Sequence, residues 1–377
     1  MNLAAPLRFE HVAEPATPQQ KYLALDLLRG AAALTVFFCH VRAAAFVEFG
    51  ALPASQQTLP VATVFALTRI GHEAVLVFFI LSGFLVGGPA IRRALHQQFD
   101  LRTYAIDRGT RIFVPLIPAC ILTVAVGSFA FNVKPDWLRV GLNIVGLNNI
   151  FGVTLPINAP LWSLAYEVWF YVFAGAAAYM LSNRRIDAAA LVALLGAFAI
   201  LSCSRAGYLL FWCLGAATTF ALPWHNKNSL AMAGLVCFLT GCATYEASAA
   251  SRSFANIALV PMWASETLVS VGVCLTLPLL CTQKAGDALK PIRASVLGLS
   301  RMSYSLYLVH YPLNCTLDLW LPRATELSLA SFAAFFMRGS LVFGGSLLFY
   351  LCFESQTATI RRFLARRSGN ERGNAPC

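Results

Sequence analysis

Apolar stretches long enough to cross a membrane recur along the whole sequence, and they limit the possible folds more than any other feature. A transmembrane helix needs about 20 mostly apolar residues, because the hydrocarbon core of a bilayer is about 30 Å thick. The 377 residues are 58% apolar and only 12% charged, whereas about 45–50% apolar residues is typical of soluble domains. The sequence therefore predicts an all-α, polytopic integral membrane protein whose fold is a bundle of transmembrane helices.

The apolar stretches predict ten transmembrane helices. They cover approximately residues 25–46, 73–90, 111–131, 161–181, 187–203, 206–222, 229–245, 268–283, 298–319 and 329–353. The stretches between 187 and 245 follow each other so closely that two of them could be re-entrant or fused. We expect one transmembrane domain over residues 21–355, with a polar tail at 1–20 and a basic tail at 356–377. The first stretch lacks a small-residue cleavage site, which indicates a retained helix and not a signal peptide.

The formal net charge of +11 could indicate nucleic acid binding, but the distribution of the basic residues favours another explanation. Most of the 28 Lys and Arg residues lie before the first stretch and in every second connection after it. Such an asymmetry is typical of cytoplasmic loops. It predicts that both termini are cytoplasmic, as an even number of helices requires, in a multi-pass protein of a bacterial inner membrane. Membrane lipids are expected partners, and nucleic acid is not.

Arg29 and His40 in the first stretch are the leading candidates for chemistry. They are eleven residues apart, which places them on one helix face about 16 Å apart along the axis. Asp26, one turn before Arg29, can pair with it. Arg29 could simply extend to the interface while His40 bonds a neighbouring helix, but ionisable groups inside a membrane are typically functional. Neutral imidazole can activate a hydroxyl group, which indicates group transfer.

The second stretch begins with His72 and Glu73 and contains Ser82 and Gly83 near its end. Small residues here permit close helix approach. His72 and Glu73 would most simply cap the helix at the membrane interface, and the sequence alone assigns them no role.

Charged groups also occur at the start of the third stretch and within the fourth. Arg108 and Arg111 are three residues apart and share a helix face, where guanidinium groups suit phosphate. Arg111 adjoins apolar sequence and would be unfavourable there without an anionic partner, which a phosphorylated acyl donor would supply. Glu167 lies in an apolar aromatic segment just after Trp162 and Ser163. It needs a cationic partner or a protonated role, with His40 and the arginines as candidate partners.

Polar and aromatic residues also line the ninth stretch. These residues are Ser303, Tyr304, Ser305, Tyr307, His310 and Tyr311. The pattern fits an interfacial aromatic belt as well as a polar lining. The eleven cysteines are scattered and form no C-x-x-C pair, so neither a disulfide framework nor a metal site is expected.

Five of these motifs together resemble the acyltransferase 3 family of membrane O-acyltransferases. In order they are Asp-x-x-Arg-Gly with His40 eleven residues after the arginine, FFILSGF, Arg-x-x-Arg, PLWSLAYE and SYSLYLVHYP. The resemblance extends over about residues 21–355. It implies a ten-helix enzyme that moves an acyl group, usually acetyl from acetyl-CoA, onto a hydroxyl of a carbohydrate or glycolipid.

By the same resemblance, the essential arginine and histidine are Arg29 and His40, the donor-binding arginines are Arg108 and Arg111, and the intramembrane acid is Glu167. The remaining candidates would line the site or bind the acceptor: Asp26, His72, Glu73, Ser82, Trp162, Ser163, Tyr304 and His310. A stand-alone form without a C-terminal esterase-like domain is expected. Family members often have proline soon after the final glutamate, whereas here Ser355 and Gln356 follow Glu354, so the last helix could end at a different position than in those members.

The expected mechanism has acyl-CoA enter from the cytoplasm as co-substrate, with no bound cofactor. Arg29 would orient the donor or stabilise the oxyanion, and Glu167 would set the tautomer of His40. His40 would be either a general base or a covalent acyl carrier. The acceptor could be a surface polysaccharide, a lipopolysaccharide or a nodulation-type lipo-oligosaccharide, and the acyl group acetyl or succinyl.

Two other functions fit parts of the pattern. A transporter or flippase for a lipid-linked sugar or exported glycan would use the same polar interior as a pathway, but no paired inverted repeat is visible. A haem-bearing electron carrier would use His40, His72 or His310 as ligands.

Overall fold

A computed structural model describes residues 22–220, 226–255 and 260–373, and over these residues the fold is all-α, as predicted. The described part of the chain contains no β-strand, only an isolated bridge between Phe46 and Ala324. The helices in chain order are α1 Leu23–Ala45, α2 Leu59–Leu67, α3 Gly71–Ser82, α4 Gly88–Leu95, α5 Leu101–Phe131, α6 Trp137–Ile144, α7 Asn148–Phe151, α8 Trp162–Asn183, α9 Ala188–Thr218, α10 Lys227–Ala255, α11 Met262–Leu280, α12 Gln283–Ala288, α13 Arg293–Leu317, α14 Leu329–Cys352 and α15 Thr357–Gly373.

Each of the ten predicted apolar stretches overlaps one or more helices of the described residues. By length and composition, eight helical segments among the described residues are apolar enough to cross a membrane. They are Leu23–Ala45, Leu59–Leu95, Leu101–Phe131, Ala159–Asn183, Ala188–Thr218, Lys227–Ser248, Met262–Leu280 and Leu329–Arg366. The ninth predicted stretch is α13, which is more polar than these segments because it carries the serine and tyrosine residues noted above. The fifth predicted stretch from Ala188 on and the sixth as far as Thr218 are covered by α9, while the last residues of the sixth, 221–222, lie outside the described residues.

Arg205 divides α9 into two segments and reverses the direction of the chain. Its backbone angles, φ −165° and ψ 95°, are not helical. The first segment, 188–204, begins soon after α8 ends, whereas Tyr208 in the second segment packs against the start of α8. The Tyr208 ring lies 5.0 Å from that of Tyr166, and the Trp212 ring lies 5.4 Å from that of Phe170, so the second segment runs in the same direction as α8. The two predicted stretches therefore correspond to separate helical segments, 188–204 and 206–218, joined at Arg205 without a loop.

α13 occupies the centre of the bundle and positions most of the polar groups. It packs against α1, α14 and α5. In the rest of the bundle, α1 also packs against α3, and α8 packs against α9 and α4. The side chains of α13 over residues 302–310 are almost all buried, including Ser303, Ser305 and His310. A helix this polar is stable in the bundle because its neighbours supply partners for its polar groups.

Two glycines let α3 and α9 approach closely, as the small residues of the second stretch predicted. A Cβ atom at Gly83 would collide with the carbonyl oxygen of Trp212, and one at Gly215 with that of Ile80. Gly83 also begins a π-helical turn, Gly83–Gly87, between α3 and α4. Such turns often occur beside functional sites, and here Ser82 precedes the turn.

Gly83→Ala is expected to destabilise the protein, because the collision is with backbone atoms that cannot rotate away. Overpacking of this kind typically costs about 1–3 kcal/mol. Thermal unfolding of the purified protein in detergent should show a lower Tm. Gly196→Ala in α9 is the matched control, since apart from its chain neighbours and the backbone of its own helix no described atom lies within 4 Å of its added Cβ, and its Tm should not fall. Equal Tm values for wild type and Gly83→Ala would contradict the close contact.

The two predicted tails differ in how far the structure describes them. The N-terminal tail, 1–20, lies outside the described residues. The predicted C-terminal tail, 356–377, is helical over Thr357–Gly373, and this helix packs against α5. An ion pair of 3.5 Å between Arg361 and Asp107 joins the two helices. The cytoplasmic location of both termini stays a prediction.

Candidate active site

A cavity of about 830 Å³ lies between the helices at the end of the bundle where α1 and α5 begin. We call it the arginine cavity, because six arginines and four carboxylates line it. These residues are Arg29, Arg108, Arg111, Arg293, Arg301 and Arg361, with Asp26, Asp107, Glu167 and Glu354. It thus collects four of the five residues that the resemblance marks as functional, and the surplus of arginines makes it attractive to anions.

Arg29 and Asp26 pair across one turn of α1, as predicted. Their closest nitrogen and oxygen atoms are 3.6 Å apart. The same carboxylate oxygen of Asp26 accepts a hydrogen bond of 2.7 Å from Ser300 of α13. The first turns of α1 are therefore held to α13, and Arg29 is directed into the cavity.

Arg111 already has an anionic partner within the chain. Its Nη1 lies 2.7 Å from Oε1 of Glu354, which is buried, and its guanidinium group lies 5.4 Å from the centre of the Tyr304 ring. The other oxygen of Glu354 accepts hydrogen bonds from the backbone nitrogen and the hydroxyl of Ser305, at 2.9 and 2.6 Å. The anion expected from the sequence was a phosphorylated donor, whereas the structure shows a carboxylate contributed just after α14.

Arg108 differs from Arg111 in having no carboxylate partner among the described residues. Its guanidinium group stands 5.7 Å from the centre of the Tyr171 ring. Tyr171 in turn donates a hydrogen bond of 2.6 Å to Oε1 of Glu167, one turn earlier in α8. Glu167 therefore shares the cavity with the arginines, as one alternative from the sequence had it, and its hydrogen bond goes to a tyrosine that sequence reasoning missed.

A smaller cavity of about 80 Å³ adjoins the arginine cavity deeper in the bundle. We call it the inner cavity; it shares Arg29, Phe78, Arg111 and Glu167 with the larger one. Its other lining residues are Val75, Phe79, Ile112, Ser163, Leu164, Ser303, Tyr304 and Tyr307. It is thus mainly apolar, with the charged groups at the side that faces the larger cavity.

The floor of the inner cavity is a hydrogen-bonded pair. The hydroxyl groups of Ser163 and Tyr307 are 2.6 Å apart, and Tyr307 donates to the carbonyl oxygen of Pro160 at 2.8 Å. This contact ties the start of α8 to α13.

His40 lies beyond that floor, and neither cavity has it in its lining. Its ring is 5.2 Å from that of His310 and 5.1 Å from that of Tyr311. Its carbonyl oxygen accepts a hydrogen bond of 3.1 Å from Asn314 near the end of α13. The structure thus brings His40 together with His310, and it places Arg29 and Glu167 at another level of the bundle.

His72 and Glu73 belong to a separate cluster at the start of α3. His72 Nε2 lies 2.7 Å from Oε1 of Glu266 in α11, and its ring stacks between Tyr245, at 5.0 Å, and Trp162, at 6.0 Å. Neither side chain makes a hydrogen bond that caps α3, although Glu73 lies in its first turn.

Arg205, at the kink of α9, completes this cluster. Its Nη2 lies 3.0 Å from Oε2 of Glu266, and its Nη1 donates to the Tyr208 hydroxyl at 2.8 Å. Glu73 is buried, and its carboxyl oxygens have no hydrogen-bond partner among the described residues. Glu266 and Tyr208 were not identified from the sequence.

Comparisons with known proteins agree on the class of activity. The sequence profile of an acyltransferase domain, Acyl_transf_3, matches residues 22–351. The chain is similar to an O-acetyl transferase of Shigella phage Sf6, with 28% identity over 134 residues that cover 32% of this chain and 39% of that protein. It is also similar to Acyltransferase MdmB of Streptomyces mycarofaciens, with 32% identity over 151 residues that cover 38% of this chain and 36% of that protein.

The alignments thus span less than half the length of each relative. No solved structure matches the chain significantly.

Proposed function

Because the chain belongs to the acyltransferase 3 family, we propose that it transfers an acyl group, most simply acetyl, from acyl-CoA to a hydroxyl group of a carbohydrate. The observation that carries the proposal is the arginine cavity, which combines anion-binding groups with an adjoining apolar cavity. The similarity to a phage O-acetyl transferase supports acetyl as the transferred group. We place the protein in the inner membrane of a bacterium, with the arginine cavity facing the cytoplasm, because the basic loops lie at that end.

Coenzyme A fits the arginine cavity by charge and by size. CoA carries a pyrophosphate and a further phosphate, which guanidinium groups bind strongly. The volume of about 830 Å³ lies in the range of roughly 300–1,000 Å³ that is usual for small-molecule sites. Arg108 is the leading phosphate ligand, since Arg111 is already engaged by Glu354. The pantetheine arm would then extend past Arg29 into the inner cavity.

The chemical step needs the thioester and His40 to meet. His40 lies about 16 Å along α1 from Arg29, beyond the hydrogen bond between Ser163 and Tyr307. We propose that this bond opens when the donor binds, so that the thioester passes Tyr307 while the acceptor enters from the opposite end of the bundle. The hydroxyl proton passes to His40, the oxygen attacks the thioester carbon, and the thiolate leaves and takes a proton. A covalent acyl-His40 intermediate would require the same access.

The proposal is tested with purified protein, labelled acetyl-CoA and glycans from the native cells as acceptor. Arg108→Ala is expected to raise the KM for acetyl-CoA about 10- to 100-fold with a smaller change in kcat, because a hydrogen bond to a charged group contributes about 1.5–3 kcal/mol. Arg93→Ala is the matched control, as Arg93 is exposed in α4 and lines neither cavity. No label in the glycan with wild-type protein would overturn the function, and an unchanged KM in Arg108→Ala would overturn the donor site.

A further inference from the structure

His310 is a buried histidine beside His40, and it has an unused hydrogen-bonding atom. Its side chain is fully buried in α13, and the two imidazole rings are 5.2 Å apart at an angle of 39°. Nε2 of His310 is buried without a hydrogen-bond partner among the described residues. A polar atom left unpaired in a protein interior costs about 1–3 kcal/mol, so such an atom at a candidate active site calls for a function.

The surroundings of His310 fix its tautomer. Nδ1 lies 2.9 Å from the carbonyl oxygens of Leu306 and Tyr307, one turn earlier in its own helix. Carbonyl oxygens only accept hydrogen bonds, so Nδ1 carries the proton. In the neutral ring Nε2 then holds a lone pair, and it lies on the side of the ring away from these carbonyl groups.

His40 lacks the carboxylate that usually supports a catalytic histidine. Among the described residues, no Asp or Glu side chain is within ion-pairing distance of His40, and Glu167 is bonded to Tyr171 at the arginine cavity. In serine hydrolases an aspartate holds the imidazole in one tautomer and stabilises the imidazolium ion that forms. The aromatic neighbours of His40 are His310 and Tyr311, and of these His310 offers a buried lone pair.

We propose that His310 is the positioning residue for His40, with its Nε2 accepting a hydrogen bond from the ring N–H of His40. This inference rests on the proposed function. The other nitrogen of His40 is thereby left unprotonated and takes the proton of the acceptor hydroxyl as the C–O bond forms and the C–S bond breaks. The hydrogen bond to His310 stabilises the imidazolium ion until its proton passes to the CoA thiolate. A small rotation of His40 brings the two nitrogens together, since the ring centres are already 5.2 Å apart.

The test compares two amide variants that mimic different halves of the imidazole. His310→Gln places an acceptor oxygen near the position of Nε2, whereas His310→Asn keeps only a donor near the position of Nδ1. We expect kcat for transfer of label from acetyl-CoA to the native glycan to fall about 100-fold or more in His310→Asn and His310→Ala. His310→Gln should retain kcat within about tenfold, and the KM for acetyl-CoA should stay unchanged in all three.

Val309→Ala is the control for lost packing, because Val309 is the fully buried neighbour of His310 in α13. It should keep the wild-type kcat. A wild-type kcat in His310→Asn, or losses of equal size in His310→Gln and His310→Asn, would overturn the positioning role while leaving the proposed function intact. Absence of any transfer by the wild-type protein would overturn the proposed function, and this inference with it.

Discussion

His40→Ala is expected to lower kcat for acyl transfer by about 10²- to 10⁴-fold, the usual contribution of a general acid–base group. Binding of acetyl-CoA should be preserved, because His40 lines neither the arginine cavity nor the inner cavity. The two quantities are measured separately, as turnover of labelled acetyl-CoA and as equilibrium binding of CoA to the purified variant. The combination of lost turnover and retained binding distinguishes this variant from Arg108→Ala.

Thr35→Ala is a suitable control for the His40 variant. Thr35 lies on α1, and within the described part of the chain its hydroxyl bonds only to the carbonyl oxygen of Ala31 in the same helix. Its turnover should equal that of wild type. Retained transfer in a correctly folded His40→Ala protein would remove His40 from the mechanism.

Mass spectrometry of wild type incubated with acetyl-CoA and no acceptor distinguishes direct transfer with His40 as general base from transfer through acyl-His40, since only the second route produces an acetylated His40.

Helical periodicity predicted the relations within single helices well. The pair of Asp26 and Arg29 is present, and Arg108 and Arg111 both face the same cavity. These residues are three apart, so the geometry of one helix is enough to place them together. The apolar stretches likewise located the helices, because length and composition alone determine which segments can cross a bilayer.

Partners on different helices could not be predicted in this way. Arg111 is paired with Glu354, 243 residues later, and a spacing rule within one helix says nothing about which helices become neighbours. The same limit applies to His72 and Glu266, which are 194 residues apart. A signal for Glu354 did exist, since it is an acidic residue just after a long apolar stretch, where a carboxylate needs a partner.

The shared face of Arg29 and His40 was informative in another way. Periodicity placed them on one side of α1, but it did not show that Ser163 and Tyr307 lie between their two levels. Ser163 lies on α8 and Tyr307 on α13, so the position of their hydrogen bond relative to Arg29 and His40 depends on how α1, α8 and α13 pack together. In the proposed mechanism donor binding and proton transfer therefore occur in different layers of the bundle, and we expect variants in each layer to affect different kinetic constants.

The ion pair between Arg111 and Glu354 provides the second large expected effect. Glu354→Ala should destabilise the protein by about 3 kcal/mol, near the lower end for breaking a buried ion pair. The lower end applies because the Arg111 side chain is 36% exposed while that of Glu354 is 2% exposed. The loss also removes the acceptor of the two hydrogen bonds from Ser305. The destabilisation of Glu354→Ala is measured as a fall in Tm during thermal unfolding in detergent.

Glu354→Gln separates the charge from the hydrogen bonds. A glutamine oxygen can still accept from Ser305, but its amide group cannot neutralise Arg111, so the Tm of Glu354→Gln should lie between those of wild type and Glu354→Ala. The double variant Arg111→Gln/Glu354→Gln should be less destabilised than the sum of the single variants, because no charge is then left unpaired. Additive losses would show that the two side chains do not interact.

In Glu354→Gln, Arg111 would become free to bind phosphate, so we expect a lower KM for acetyl-CoA in that variant. A lower KM would show that Glu354 competes with the donor for Arg111.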